Sequence, residues 1–349
     1  MSEFDLIRRF FTRATPGALL GVGDDAALLQ VSEGNVLAVS GDMLVSGTHF
    51  LPDAEPFLLG HKTLAVNLSD MAAMGAAPRW AMLAIALPFV QGKETSHERP
   101  HPNPPPEGEG TNKSLRELMF TVDEAWLAQF SAGFFALAQQ HGVELVGGDT
   151  TRGPLNLCVT IFGEVPAQQA LRRSGAQAGD EIWVSGHLGD AALALAHLQG
   201  RIALSDAEFA ACASALYQPQ PRVALGLALR GIASSAIDIS DGLLADLGHI
   251  LDASQLGAQL YFPALPVSPV LHGHLSLPLA RQCILSGGDD YELCFTVPVA
   301  RHAELSEIAA RLDLPLTRIG EIVAGHGCIV HDAAGNPINI EARGYDHFR

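Results

Sequence analysis

Residues 236–242, Ala236-Ile237-Asp238-Ile239-Ser240-Asp241-Gly242, run from an apolar stretch through two aspartates into a glycine. This pattern predicts a strand over 236–239 and a helix over 243–253 that begins after the Asp-Gly pair. Asp238 and Ser240 then fall on one strand face, because strand side chains alternate with a period of two. Asp241 is the expected N-cap of the helix. Two carboxylates at such a turn suit a hard, oxygen-binding cation.

Aspartates that follow a glycine or serine recur along the chain, and most come after an apolar run. The other instances are Gly23-Asp24-Asp25, Gly41-Asp42, Ser69-Asp70, Gly147-Gly148-Asp149 and Gly287-Gly288-Asp289-Asp290. Carboxylates at strand ends point into the crevice where open α/β folds bind ligands, and glycines let a large ligand approach. Because so many carboxylates need a counter-charge, we expect divalent cations and a metal-bound, strongly anionic substrate.

The order of elements predicts a two-domain α/β (α+β) fold. In the first half, strands are expected at 36–40, 80–88, 143–146 and 155–165, and helices at 5–13, 56–74 and 123–141. In the second half, a strand at 181–185 and a helix at 190–199 precede the elements around residue 240, and segments 283–286 and 291–297 flank a double-glycine turn. The stretch 166–180 is the expected linker, which gives domains over 1–166 and 167–349.

The helix predicted over 56–74 carries polar residues within an apolar run. Pro56 stands in its first turn, as is common at helix starts. Asn67 and Asp70 are three residues apart and share one face. Since their neighbours are apolar, we expect Asp70 to be nearly buried, and buried acids are rare unless paired or metal-bound. Asp70 is therefore a candidate metal ligand.

Composition argues against several partners and site types. The 349 residues carry a formal net charge of −17 at pH 7, which disfavours nucleic acid and anionic membranes as partners. Lysine occurs only at positions 62, 93 and 113, and no G-x-x-x-x-G-K-[ST] string occurs, so no phosphate-loop nucleotide site is expected. Five dispersed cysteines without C-x-x-C spacing suggest core residues in a reduced compartment. We find no signal-peptide pattern and no membrane-spanning run, and expect a cytoplasmic protein.

Residues 91–121 differ from the rest of the chain. They contain a cluster of prolines over 100–106, followed by Glu107-Gly108-Glu109-Gly110. This composition predicts a disordered surface insert between a strand and a helix. Since loop entropy grows slowly with length, we expect the insert to be tolerated rather than to add a function.

Gly21-Val22-Gly23-Asp24-Asp25-Ala26 matches the dinucleotide-binding string G-x-G-x-x-A, but no strand is expected before it. Its two aspartates would repel a pyrophosphate unless Mg²⁺ lay between them. We therefore expect metal binding here, with helix capping as the structural alternative. No G-x-S-x-G or H-E-x-x-H string occurs, so covalent catalysis and a zinc site have little support.

Taken in order, these strings resemble the thiamine-monophosphate kinase family. That family lies within the superfamily of aminoimidazole-ribonucleotide synthetase, selenophosphate synthetase and hydrogenase-maturation proteins. The resemblance covers essentially the whole chain except 91–121. It is carried by Gly21 to Ala26, Asp42 to Phe50, Ala65 to Asp70, Gly147 to Thr151, Arg173 to Ala176, Ile237 to Gly242, Ser286 to Leu293 and Gly344 to Phe348.

The resemblance implies ATP-dependent phosphorylation of thiamine monophosphate to thiamine diphosphate, with several Mg²⁺ ions and no phosphoenzyme. It also implies a homodimer formed through the sheet of the N-terminal domain, with the second domain completing the site. The residues expected to hold magnesium are Asp25, Ser40, Asp42, Asp70, Asp149, Asp238 and Asp241. Gly148, Arg173 and Ser240 would contact ATP, and His49, Asp289 and Tyr345 the thiamine phosphate.

The chain departs from the family's pattern at three positions. Gly41 and Met43 replace hydroxyl residues beside the aspartate, and Asp289 stands where Glu is common. Two alternatives stay open: another ATP-dependent enzyme of the superfamily, and a non-catalytic magnesium–nucleotide binder disabled by the insert. No cysteine precedes Cys158, which disfavours a selenophosphate synthetase. The residues after Tyr345 include no cysteine, which disfavours a hydrogenase-maturation protein.

Overall fold

A four-stranded sheet with two long helices forms the first half of the chain. The computed structural model describes residues 2–88, 90–91 and 122–338. In chain order the elements are α1 (Glu3–Leu6), β1 (Asn35–Val45), α2 (Pro56–Ala73), β2 (Ala77–Leu87), β3 (Val90–Gln91), β4 (Val122–Asp123), α3 (Glu124–His141), β5 (Glu144–Arg152) and β6 (Asn156–Pro166). A π-helical turn, Ile7–Phe11, extends α1. The sheet order is β1-β6-β2-β5, antiparallel except for β2 and β5.

The two faces of this sheet differ in character. Leu157, Val159 and Ile161 of β6 alternate onto the inner face and are fully buried, as the two-residue period of a strand requires. On the outer face, Val39 of β1 and Met82 of β2 are exposed. An apolar sheet face left open to solvent is a candidate interaction surface.

Helix α2 is the central element of the molecule. Pro56 starts it, and the side chain of Glu55 caps the Leu58 N–H. Every residue from Leu59 to Ala73 except Asp70 is buried, as expected of a helix packed on several sides. Its backbone lies against that of α3, because a Cβ atom added to Gly60 would sit 2.1 Å from the carbonyl oxygen of Phe130. Glycine is therefore required at this helix crossing.

The second half is built on a six-stranded sheet. Its elements are β7 (Glu181–Ser185), α4 (Asp190–Leu198), α5 (Asp206–Tyr217), α6 (Val223–Ala228), β8 (Ser235–Asp238), α7 (Leu243–Ser254), β9 (Gly257–Tyr261), α8 (Pro269–Gly273), α9 (Pro278–Ser286), β10 (Leu293–Val297), α10 (His302–Leu312), β11 (Leu316–Val323) and β12 (Gly327–His331). The sheet order is β12-β9-β11-β7-β10-β8. Only β12 and β9 of this sheet run parallel.

The two halves meet at α2. Buried Ser69 of this helix donates a 2.7 Å hydrogen bond to Asp238 at the end of β8. At the other end of α2, His61 Nε2 lies 2.9 Å from the Pro219 carbonyl oxygen. These contacts join α2 to the second half, and the cleft beside the helix is lined by residues from both halves.

The structure confirms two α/β units and most of the predicted elements. Two expectations about strand ends were wrong. β1 continues to Val45 and β5 to Arg152, so Asp42 and Asp149 lie within strands, because β6 and β2 pair with these strands past the aspartates. The segment 283–286 is the end of helix α9. Residues 167–180 contain no helix or strand, and the exact domain boundary remains a prediction.

The expected insert at 91–121 lies, apart from Gln91 in β3, outside the described residues. Among the residues that are described, no helix is long and apolar enough to cross a membrane. The three cysteines at 212, 283 and 294 are buried, as expected of core residues, while Cys158 and Cys328 are half-buried and all five are free thiols.

Candidate functional site

Strand β1 and helix α2 bring the first set of polar side chains together. The backbone N–H of Asp42 donates to Asn67 Oδ1 at 3.1 Å. Two residues before Asp42 on the same strand, the Ser40 hydroxyl donates a short hydrogen bond to Asp70 Oδ2. Asn67 and Asp70 do share one helix face, as predicted. Asp70 is half-buried rather than nearly buried, because its side chain lines an open cleft.

The loop after β8 is shaped by a residue that sequence reasoning did not single out. A single carboxylate oxygen of Asp246 accepts hydrogen bonds from the N–H groups of Ser240, Asp241 and Gly242, each at 3.0 Å. Asp241 was predicted to cap helix α7, but the N-cap is Gly242, which makes no side-chain cap. It is thus Asp246, in the first helical turn, and not Asp241 whose side chain bonds backbone N–H groups at the start of this helix. The side chain of Asp241 is thereby left to line the cleft.

A second loop, 287–291, lies beside the 240–242 loop, and the backbone N–H of Tyr291 donates to the Ile239 carbonyl oxygen at 2.8 Å. Asp289 and Tyr291 have φ angles of 69° and 49°, in the left-handed region that non-glycine residues rarely adopt. The other two non-glycine residues with positive φ in the described chain, Gln255 and Asp313, are helix C-caps. The 287–291 loop therefore holds the two strained backbone conformations that no helix end explains, and such strain is common at ligand sites.

Two adjoining cavities lie between the halves. The larger, of about 510 Å³, is lined by Asp42, Asp70, Asp238, Ser240 and Asp241 together with apolar residues of α2 and α4. The smaller, of about 120 Å³, is mainly apolar and includes Phe50, Leu58 and Leu216. His49 and Asp289 line both cavities. A polar cleft that opens into an apolar recess suits a ligand with a charged part and a ring part.

His49 has a defined orientation. Its Nδ1 accepts a 2.9 Å hydrogen bond from the backbone N–H of Val45. In the neutral ring the proton must therefore lie on Nε2. His49 can present a hydrogen-bond donor to a ligand in this orientation.

Burial, and after it the charges of neighbouring carboxylates, raises the pKa values of Asp42 and Asp238 in the larger cavity. Burial, followed by the charges of Asp70 and Asp241, raises the pKa of Asp42 to about 6. Burial and then the charge of Asp70 raise the pKa of Asp238 to about 8. Burial also raises the pKa of Asp70, against the lowering effects of the Ser40 hydrogen bond and the Arg173 charge. Full ionisation of these acids is therefore unfavourable without a counter-charge, and a bound cation would favour it.

The structure gathers most of the predicted site residues but not all of them. Those that line the larger cavity are Asp42, His49, Asp70, Asp238, Ser240, Asp241 and Asp289. Ser40 joins this group through its hydrogen bond to Asp70, and the charge of Arg173 lowers the pKa of Asp70. Asp25, Gly148 and Asp149 are not among the described lining residues, and Asp25 and Asp149 are exposed. Tyr345 lies outside the described residues.

Lys62, Tyr291 and Asp246 are the polar residues that sequence reasoning missed. The sequence does contain an indication for Lys62, because a lysine within the apolar run of α2 requires a partner when it is buried. Asp246 also had one, as an acid in the first turn of a helix. The role of Tyr291 depends on its backbone conformation, which the sequence does not show.

The donor set fits magnesium. Carboxylate and hydroxyl oxygens are the ligands that Mg²⁺ prefers, and no thiolate lines the larger cavity in the described part of the chain. Within residues 2–88, 90–91 and 122–338, no three His, Cys, Asp or Glu side chains are grouped tightly enough to hold a metal alone. This agrees with the usual binding of Mg²⁺ by one or two carboxylates together with substrate phosphates.

Both halves of the chain match models of known protein families. Residues 23–100 and 111–165 match the family "AIR synthase related protein, N-terminal domain", and residues 177–333 match its C-terminal domain. The chain is therefore a protein of the AIR synthase related class. It is 45% identical to the thiamine-monophosphate kinase of Escherichia coli (strain K12) over 352 residues, which cover 99% of this chain and 98% of that protein. The chain belongs to the thiamine-monophosphate kinase family.

Two solved structures are similar to this chain over nearly its full length. The crystal structure of thiamine-monophosphate kinase from Stenotrophomonas maltophilia K279a is 46% identical, with a TM-score of 0.78 and coverage of 96% of each chain. A complex of AaThiL with AMPPCP and TMP is 26% identical, with a TM-score of 0.71 and coverage of 99% of this chain and 96% of that one.

Proposed function

We propose that this protein phosphorylates thiamine monophosphate to thiamine diphosphate, with ATP as donor and Mg²⁺ as cofactor. The observation that carries the proposal is a carboxylate-walled cleft that opens into an apolar recess, in a chain of this family. A relative with the same fold has been solved with AMPPCP and TMP, which supports ATP and thiamine monophosphate as substrates here.

The ligand roles follow from the cleft. Asp42, Asp70, Asp238 and Asp241 would hold magnesium, and Ser40, which hydrogen-bonds Asp70, stays a proposed ligand beside them. Bound magnesium supplies charge neutralisation and alignment of the phosphates. Asp25 and Asp149 stay proposed ligands, although each is exposed and absent from the described cavity linings. Arg173, Gly148 and Ser240 are the proposed ATP contacts. The three N–H groups of the 240–242 loop already bond Asp246, so this loop would meet phosphate through side chains.

The reaction needs no covalent enzyme intermediate. An oxygen of the acceptor phosphate attacks the γ-phosphorus of ATP, the bond from that phosphorus to the β,γ-bridging oxygen breaks, and ADP leaves with the electron pair. A phosphate monoester has a second pKa near 6, by analogy with phosphorylated side chains, so its oxygen needs no general base at neutral pH. His49 would donate its Nε2 proton in a hydrogen bond to the acceptor, and Asp289 and Tyr345 are the other proposed acceptor contacts. The apolar recess would take the ring part of the acceptor.

We further propose that two chains pair through the outer face of the N-terminal sheet, where Val39, Met43 and Met82 are exposed. Domains over 1–166 and 167–349 would each contribute one wall of the cleft. A cytoplasmic location is favoured by five free cysteines, since disulfides are rare in that compartment.

A direct assay of kinase activity tests this proposal. Purified protein is incubated with ATP, Mg²⁺ and thiamine monophosphate, and thiamine diphosphate and ADP are measured by chromatography. We expect equal amounts of both, dependent on Mg²⁺. ATP binding without product would instead indicate a non-catalytic binder, and product from a different acceptor would indicate another enzyme of the class.

A further inference from the structure

Lys62 is a buried lysine that lines the smaller cavity, next to Asp289, which lines both cavities. It is 4% exposed, and its Nζ lies 3.1 Å from Asp289 Oδ2. Burying an ammonium group is costly unless it is paired, so the contact with Asp289 is what permits this position. None of the motifs that carry the family resemblance contains this residue.

The position of Lys62 on α2 relates the two cavities. Residues 62, 66 and 70 are spaced by four and lie on one helix face. Val66 and Asp70 line the larger cavity, whereas Lys62 lines the smaller one. Eight residues of helix correspond to about 12 Å along the axis. One face of α2 therefore leads from the proposed metal ligand Asp70 to a cation beside the apolar recess.

The ammonium of Lys62 is held by Asp289, and Asp289 is itself held by two further hydrogen bonds. Asp289 Oδ2 pairs with Lys62, and Asp289 Oδ1 accepts a 3.1 Å hydrogen bond from the Tyr291 hydroxyl. The backbone N–H of Asp289 donates to the Ser240 carbonyl at 2.9 Å, which fixes the loop in its left-handed conformation. An ammonium has three donors, so one contact with Asp289 leaves capacity for a second anion.

The acceptor is itself an anion, and the larger cavity has carboxylate walls. Among the described residues that line the two cavities, Lys62 is the one lysine or arginine. We propose that Lys62 binds the phosphate group of the acceptor substrate, with Asp289 and Tyr291 positioning its ammonium, and that it selects phosphorylated over unphosphorylated acceptors. This inference rests on the proposed function.

The test separates phosphate binding from pocket shape. Lys62→Met keeps the approximate length of the side chain and removes its charge. We expect its KM for thiamine monophosphate to rise about tenfold or more, the usual effect of losing a charge-assisted hydrogen bond. The KM for ATP, and the inhibition constant of thiamine, which lacks the phosphate, should both change by less than about twofold. An equal weakening of thiamine would show that Lys62 only shapes the recess and would overturn the proposal, as would an unchanged KM for thiamine monophosphate.

Two further measurements keep the proposal testable if Lys62→Met does not fold. Lys62→Gln can still hydrogen-bond Asp289, and the same pattern of constants is expected from it. In the wild type, thiamine should bind about tenfold more weakly than thiamine monophosphate or worse. Equal affinities would contradict the inference. A wild-type protein that forms no thiamine diphosphate overturns the proposed function, whereas an active wild type with an unaffected Lys62→Met overturns the Lys62 role alone.

Discussion

A carboxylate oxygen of Asp246 accepts the backbone N–H of Asp241 at 3.0 Å, so one aspartate shapes the loop that presents the other. The same oxygen also bonds the N–H groups of Ser240 and Gly242. Asp246 is 3% exposed and is not among the residues lining either cavity. Its effect on a ligand must therefore pass through the loop, which makes it a positioning residue.

Asp246→Ala should weaken magnesium use because it releases this loop. We expect the Mg²⁺ concentration for half-maximal activity to rise severalfold, and the free energy of unfolding to fall by about 1–3 kcal/mol, the cost of leaving buried donors unpaired. Asp246→Asn is the matched control, since its amide oxygen can accept the same three hydrogen bonds. Magnesium titrations of activity and urea unfolding measure both effects. If Asp246→Asn were as impaired as Asp246→Ala, the charge of Asp246 and not its loop contacts would be what matters.

Asp70→Asn should abolish turnover while the protein stays folded. Asp70 lines the larger cavity and is oriented by Ser40, and an amide is a far weaker magnesium ligand than a carboxylate. We expect activity to fall by at least about 10²-fold, the scale on which loss of an electrostatic stabiliser acts. Asp252→Asn is the control: Asp252 is exposed on helix α7, and this variant should be fully active. Full activity of Asp70→Asn would rule out Asp70 as a ligand.

The sequence predicted those parts of the fold that local patterns determine. The apolar run and flanking Pro56 defined helix α2, and the strand at 181–185 was placed at its observed ends. The ends of β1 and β5 were misjudged because pairing with β6 and β2 carries these strands past Asp42 and Asp149. Such pairing is a long-range contact that no local pattern contains.

The same limit applies to the site. The motif aspartates at 42, 70, 238 and 241 were named from the sequence, and the structure brings them to one cleft. The contact of Lys62 with Asp289 joins residues more than two hundred positions apart. Neither residue type nor spacing could predict that pair, because it depends on how α2 meets the 287–291 loop.

The free energy of unfolding of the metal-free protein should fall as pH rises from 6.5 to 8.5. The pKa values of Asp246 and Asp238 are raised from 3.8 to about 7 and about 8, chiefly by burial. The folded state therefore keeps protons that the unfolded chain has already lost, so the free energy of unfolding falls with rising pH until those groups have ionised. His61 and His141 have pKa values lowered by burial and act in the opposite direction, but only below about pH 6.5, their ordinary value.

Urea unfolding in EDTA at several pH values measures this slope. Saturating Mg²⁺ should reduce it, because a bound cation favours the ionised carboxylates. Asp238→Asn should flatten it without metal. A stability that rises with pH across this window would show that the carboxylates are not crowded as the structure indicates.

A charge on the outer face of the N-terminal sheet should prevent the proposed pairing of two chains. Val39 is 55% exposed and Met82 38% exposed, and β1 is an edge strand. Since burying an unpaired carboxylate at an apolar interface costs several kcal/mol, Val39→Glu and Met82→Glu should each be monomeric where the wild type is a dimer. Val299→Glu is the control, because Val299 is 61% exposed on a turn of the second half. Sedimentation equilibrium gives the masses. A dimeric Met82→Glu would place the interface elsewhere, and a monomeric wild type would remove the need for one.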